Sequence, residues 1–175
     1  MKVGILGTGD VGRTLGGGFI GLGYEVKMGS RKPGRKEVKD WVAKNAPRAS
    51  AGTYAETAAF AELAVLAVPW SGAEKAIKLT GPKNLAGKVV IDATNPLVFP
   101  SNAPPGLALG HTDSAGEQIQ RWLPEAHVVK AFNIGGIEGA RFIEPLAMLW
   151  IIYGNHSGSW NHAFKLLCKQ PDPLI

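Results

Sequence analysis

The chain has 175 residues and a single cysteine, Cys168. One thiol excludes a disulfide framework and any zinc site built on paired cysteines, and it suits a reducing, cytoplasmic compartment. Long hydrophobic runs are missing as well. The longest, Leu146 to Tyr153, falls far short of the roughly 20 residues a membrane-spanning helix needs, so no membrane association is expected. No secretory signal is expected either, because the short apolar run at the start is soon broken by glycines and charges. Acidic residues are the minority, 14 against 19 Lys and Arg, which gives a net charge of +5. Glycine is the one residue in excess: 23 of 175 is about 13%, against a usual ~7%. Such an excess signals either disorder or particular backbone positions that require glycine, and the glycine positions decide between them.

Apolar runs alternate with amphipathic stretches along the first 133 residues. Lys2 to Leu6 reads as a buried parallel strand, followed by a helix over Arg13 to Leu22. A strand is expected at Tyr24 to Met28 and a helix at Glu37 to Asn45, where Val38, Trp41 and Val42 fall at i, i+3 and i+4. A weak alanine-rich helical turn spans Thr53 to Phe60. The most apolar strand, Leu63 to Val68, follows and ends at Pro69-Trp70. Ser71 is placed to cap a helix running through Lys78. Lys88 to Asp92 is the next strand, and Pro96 to Gly110, with four prolines, reads as a loop. A helix at Ser114 to Leu123 and a strand at His127 to Phe132 complete the series. Strands alternating with helices call for a parallel sheet with helices on both faces.

The glycines fall where a cofactor fold needs them. Gly7-x-Gly9-x-x-Gly12 sits between a strand and a helix, the context that gives this spacing its meaning. Gly7 permits the tight turn, Gly9 lets the backbone approach a pyrophosphate, and Gly12 lets the helix pack close to the strand. The helix N-terminus then presents N–H groups and partial positive charge. Gly16 to Gly18 continue into that helix, where close packing favours small residues. The fold class is therefore α/β: a Rossmann-like doubly wound parallel sheet over residues 1–133, with a short C-terminal helical segment over 134–175.

The tip of the second strand selects the dinucleotide. An NAD binder usually places Asp or Glu there for the ribose hydroxyls, whereas a 2′-phosphate needs positive charge. The sequence offers Ser30, Arg31 and Lys32, then Arg35 and Lys36, with no acid before Glu37. Ser30 can donate a hydroxyl to the phosphate, Arg31 can stack on adenine and pair with phosphate, and Lys32 or Arg35 add charge. A solvated basic turn or a nucleic-acid patch would share this composition. Clustering at the one place a 2′-phosphate would lie favours NADP over nucleic acid. Val68-Pro69-Trp70 and Thr94-Asn95-Pro96 each end a strand, and ligands of open α/β sheets bind outside the carboxyl ends of strands. Both turns are expected to line the ribose and nicotinamide.

No acid–base constellation emerges. His156 and His162 approach a zinc spacing without the cysteines to complete it, and no serine has a triad partner, so neither a metal site nor a catalytic residue is assigned. Asp92, at a strand end, reads as a hydrogen-bonding structural group. Hydride transfer needs no such constellation, because the cofactor carries the reaction once two rings are held face to face. After Asn133 come a glycine-rich joint, Ile134 to Gly139, a largely apolar helix over Arg141 to Tyr153, and a second helix over Ser157 to Leu167. A helix apolar on every side must be buried, here in a homodimer interface or a ligand-cleft wall.

Several motifs in consecutive order carry a resemblance. Gly-Thr-Gly-Asp-Val-Gly12, Gly29-Ser-Arg31, Ala67-Val-Pro-Trp70, Asp92-Ala-Thr-Asn-Pro-Leu97, Val128-Val-Lys-Ala-Phe-Asn133 and the tail segments Gly139 to Leu146 and Ser159 to Lys165 resemble the deazaflavin (coenzyme F420)-dependent NADP oxidoreductase family. The cytosolic domain of the six-transmembrane metalloreductases is similar. The resemblance implies that Thr8, Gly9, Asp10 and Val11 hold the pyrophosphate, that Ser30, Arg31 and Arg35 hold the 2′-phosphate, and that Val68, Pro69 and Ala131 lie near the ribose and nicotinamide. It implies hydride transfer between NADPH and a small-molecule electron acceptor, a deazaflavin or flavin, with C-terminal helices closing the site and forming a homodimer. One departure stands out: the family's further strand, helix and strand after the Asn133 segment have no counterpart here, and Asn133 runs straight into Ile134. The chain looks internally shortened, and the alternative to an enzyme is a non-catalytic NADP-binding or sensor module.

Overall fold

A computed structural model describes residues 1–132 except 102, 103, 105, 110 and 111. The joint and both helices expected after Asn133, and the proposed C-terminal segment 134–175, lie outside the described residues. The order of elements is β1 (Lys2–Leu6), α1 (Asp10–Gly21), β2 (Glu25–Gly29), α2 (Lys36–Lys44), β3 (Ala49–Gly52), α3 (Tyr54–Phe60), β4 (Leu63–Leu66), α4 (Trp70–Thr80), a 3-10 turn (Pro82–Leu85), β5 (Val89–Asp92), β6 (Leu97–Val98), β7 (Gly106–Leu107), α5 (Ala115–Trp122) and β8 (His127–Lys130).

Six strands form one sheet in the order β3-β2-β1-β4-β5-β8, and every pairing is parallel. This is the doubly wound order: the chain steps outward from β1 through β2 to β3, then crosses back to β4 on the other side. The crossover opens a crevice between the carboxyl ends of β1 and β4.

Period-two alternation builds a core on each face of the sheet. Val3, Ile5, Leu63, Val65, Val89 and Ile91 point to one side and pack with Leu15 and Phe19 of α1 and Trp41 of α2. Leu6, Ala64, Leu66 and Val90 point to the other, against Ala58 of α3, Ile77 of α4 and Ile119 of α5. The central strands are buried on both faces, which explains their continuous apolar runs.

Among the described residues the expected elements form, with shifted ends and three further differences. β3 was not expected: Ala-Ser-Ala-Gly has no β-branched or aromatic residue, and its register on β2 at the sheet edge makes it a strand. Ser71 does not cap α4. The helix starts at Trp70 with Pro69 as the preceding cap residue, and the fixed proline backbone sets the entry instead of a side-chain oxygen. The proline-rich loop contains a short antiparallel ladder, Leu97–Val98 against Gly106–Leu107. Among the described residues, no helix is long and apolar enough to cross a membrane.

Candidate functional site

The strand exits are stitched to one another one residue beyond each strand. Gly7 N–H donates to Gly29 C=O, Ser30 N–H to Gly52 C=O, Ala67 N–H to Leu6 C=O, Ala93 N–H to Leu66 C=O, and Ala131 N–H to Asp92 C=O. These bonds align the exits of β1, β2, β4, β5 and β8 on one rim. The expected cofactor residues follow those exits, so residues scattered from 7 to 131 share a single edge.

The first exit is the glycine turn. Gly7 has φ +132°, and a Cβ there would fall 2.1 Å from the Ala67 carbonyl oxygen. Only glycine satisfies both the backbone angle and the contact. A Cβ on Gly12 would come within 2.7 Å of Gly7 O, so α1 packs directly on the turn. Gly9 differs: an added Cβ would meet nothing within 4 Å, so open space lies in front of the loop. α1 begins at Asp10, earlier than the Arg13 expected, and Asp10, Val11 and Gly12 form its first turn. No side chain caps Gly9, which leaves the first N–H groups of the helix to an outside acceptor. The Asp10 carboxylate is exposed and paired with Arg13, so its usefulness to a phosphate lies in its backbone N–H.

Ser30 is buried, and its hydroxyl oxygen accepts the Lys32 N–H at 3.0 Å. That bond tightens the turn and leaves the hydroxyl proton to be donated. Arg31 and Lys32 are exposed, and among the described residues no carboxylate pairs with either. Arg35 lies 3.5 Å from Glu37, both exposed, a contact of small energetic consequence.

A cleft of about 930 Å³ opens along this part of the rim. It brings together Gly7, Thr8, Gly9, Ser30, Arg31, Lys32, Arg35, Val68 and Pro69 of the expected set. Asp10, Val11, Gly12, Asn95 and Ala131 do not line it; Asp10 to Gly12 form the helix start behind the turn, and Asn95 and Ala131 belong to the β5 and β8 exits. Trp70 does not line it either and stacks on Trp122, ring centroids 5.6 Å apart.

Sequence reasoning missed Tyr54, Gly72, Lys75, Ala76 and Leu79, which also line the cleft. Gly72, Lys75, Ala76 and Leu79 fall at i, i+3, i+4 and i+7, one face of α4, which is the signal that could have found them. Burial raises the Tyr54 hydroxyl pKa above its ordinary value, and Arg31 partly offsets the rise. Among the described residues, the cleft lining contains no carboxylate and no histidine.

At the far end of the rim, Asp92 is fully buried and accepts the Thr94 N–H through Oδ1 at 2.8 Å. Its Oδ2 lies 2.9 Å from Lys130 Nζ. Burial lowers the Lys130 pKa, and Asp92 opposes that shift. Beyond β8, Phe132 holds φ +66°, a left-handed backbone that residues with a Cβ seldom adopt.

Residues 2–96, just over half of the chain, match the family described as NADP oxidoreductase, coenzyme F420-dependent. The chain belongs to this family. The F420-dependent NADP reductase of Methanothermobacter marburgensis is 33% identical over 145 residues, covering 76% of this chain and 63% of that protein. Metalloreductase STEAP3 of Rattus norvegicus is 34% identical over 134 residues, covering 76% of this chain and 24% of its own length. The chain thus spans less than two thirds of either relative. A crystal structure of a candidate F420-dependent NADP-reductase from Arthrobacter sp. FB24 superposes with a TM-score of 0.74 at 41% identity, over 79% of this chain and 65% of that one. The imine reductase BcSIRED of Bacillus cereus, at 20% identity and a TM-score of 0.59 over 79% of this chain and 42% of its own, shares the fold.

The site residues fit the dinucleotide that the family name specifies. The glycine turn leaves a cradle that any side chain at Gly9 would fill, and among the described residues the helix end is uncapped and two cations at the β2 tip have no carboxylate partner.

Proposed function

We propose that this chain binds NADP(H) along the rim and passes a hydride between NADPH and a deazaflavin- or flavin-like small molecule. The observation that carries the reading is the pair Arg31 and Lys32, exposed at the cleft without a carboxylate partner among the described residues. An unpaired cluster of cations is suited to a phosphate monoester and gives no advantage with a bare ribose hydroxyl.

In this reading Gly7, Thr8 and Gly9 form the turn that admits the pyrophosphate, with the N–H groups of Asp10, Val11 and Gly12 directed at it. Ser30, Arg31, Lys32 and Arg35 hold the 2′-phosphate. Val68 and Pro69, with Asn95 and Ala131 further along, contact the ribose and nicotinamide. NADPH supplies the hydride; the residues of the chain orient it and exclude water, and no general acid is needed at the transferring carbon. Residues 1–133 form the cofactor domain. Segment 134–175 closes the acceptor site or forms a homodimer contact. The single cysteine suits a cytoplasmic setting.

The test is NADPH oxidation by the full chain against deazaflavin, flavin and quinone acceptors. Turnover with a flavin-like acceptor supports the reading. Tight NADPH binding with no turnover on any of the three favours the second one, a non-catalytic NADP-binding module, whose support is the direct run of Asn133 into Ile134 where the family pattern continues differently.

A further inference from the structure

β5 and β8 pair so that Asp92 and Lys130 stand opposite each other at the rim. Asp92 is fully buried. One of its oxygens accepts the Thr94 N–H at 2.8 Å, and the other lies 2.9 Å from Lys130 Nζ. Lys130 Nζ also donates to the Thr94 carbonyl oxygen. Thr94 is therefore gripped at both its N–H and its C=O by two side chains that also grip each other.

An ion pair between a buried carboxylate and a half-buried lysine is a poor device for stability, since withdrawing the carboxylate from water costs much of what the pairing returns. What an apolar pair could not do is hold the peptide at Thr94. The next residue, Asn95, is exposed, and its side-chain amide makes no hydrogen bond among the described residues. Asn95 also precedes Pro96, which confines its backbone to extended conformations. The stitch from Ala93 N–H to Leu66 C=O places this turn beside Ala67 and Val68 of the cleft wall. An amide carries one acceptor and two donors, which matches a carboxamide or a pair of ribose hydroxyls.

We propose that Asp92 and Lys130 are positioning residues that hold Asn95 ready for the nicotinamide–ribose end of the cofactor. This rests on the NADP(H) reading above. The mechanism is indirect: neither side chain touches the ligand, and each acts through the Thr94 peptide.

The full chain is titrated calorimetrically with NADPH and with adenosine 2′,5′-bisphosphate, which has the 2′-phosphate end and lacks the nicotinamide. Lys130→Met is expected to weaken NADPH about tenfold, the loss of one or two well-placed hydrogen bonds, and to leave the bisphosphate within about twofold. Asn95→Ala is expected to give a similar selective loss, and Asn95→Ala with Lys130→Met no further loss, because both act on one contact. If Lys130→Met alone does not fold, Asp92→Asn with Lys130→Met leaves no unpaired buried charge, keeps an acceptor for the Thr94 N–H, and is expected to show the same selectivity. Equal loss for both ligands, or additive losses in the double variant, would overturn the positioning role while leaving the cofactor reading intact. Failure of the unaltered chain to bind NADPH would overturn the cofactor reading, and this inference with it.

Discussion

The two ends of the rim use charge in opposite ways. At the β2 tip, Arg31 and Lys32 are exposed and have no carboxylate partner among the described residues. At the β5 and β8 exits, the buried Asp92 is paired with the half-buried Lys130. Charge left unpaired in the open is available to a ligand, and charge paired with a buried carboxylate fixes a backbone. The first arrangement would set affinity and choice of dinucleotide; the second would set where the reactive end rests. The glycine turn lies between them and serves both by leaving space.

The comparison breaks most sharply at that turn. Gly7→Ala would force a Cβ to 2.1 Å from a carbonyl oxygen at φ +132°, so denaturant unfolding is expected to show a loss of at least about 3 kcal/mol, or no folded protein. Gly9→Ala puts its methyl into open space and is expected to cost no more than about 1 kcal/mol of stability while losing NADPH binding. A stable Gly7→Ala chain, or a Gly9→Ala chain that still binds NADPH, would contradict the division of roles between the two glycines.

At the cationic end, Arg31→Ala is expected to cost about 1.5–3 kcal/mol in NADPH affinity by fluorescence titration, with NADH affected little. Equal losses for both nucleotides would remove Arg31 from the 2′-phosphate.

A smaller effect lies behind the cleft. Thr53 and Glu56 form a capping box on α3: the Thr53 hydroxyl accepts the Glu56 N–H at 3.2 Å and Glu56 accepts the Thr53 N–H at 2.7 Å. Thr53→Ala is expected to cost about 1 kcal/mol of stability without changing nucleotide selectivity. The backbone bond from Thr53 holds the Glu56 pKa below its ordinary 4.5. A depressed carboxyl contributes stability above its unfolded value and loses it as pH falls through the folded one. The stability difference between the unaltered chain and Glu56→Gln should therefore shrink below pH 4.5 in thermal melts.

The sequence made some of this architecture legible, and the reasons are local. β1, β4 and β5 are buried on both faces and announce themselves as apolar runs, and the glycine spacing marked the tight turn from β1 into α1. Asp92 read correctly as a hydrogen-bonding group. Its partner Lys130 did not, because strand register brings the two together and no local pattern records it. β3 was hidden because an edge strand of Ala, Ser and Gly carries no apolar signature; the need for a strand between α2 and α3 was the signal available. Tyr54, Lys75 and Leu79 reach the cleft only through packing of α3 and α4 on the sheet. The small residues of α1 divide as well: a Cβ on Gly16 would come within 2.9 Å of the Trp41 ring, whereas Gly17 faces open space.

The proposed function rests on a 2′-phosphate held at the β2 tip. Titrating the full chain with NADPH and NADH, at low and raised salt, tests it most directly. NADPH is expected to bind at least about tenfold tighter than NADH, with the preference shrinking as salt screens the exposed cations. Equal affinity for the two nucleotides would contradict it.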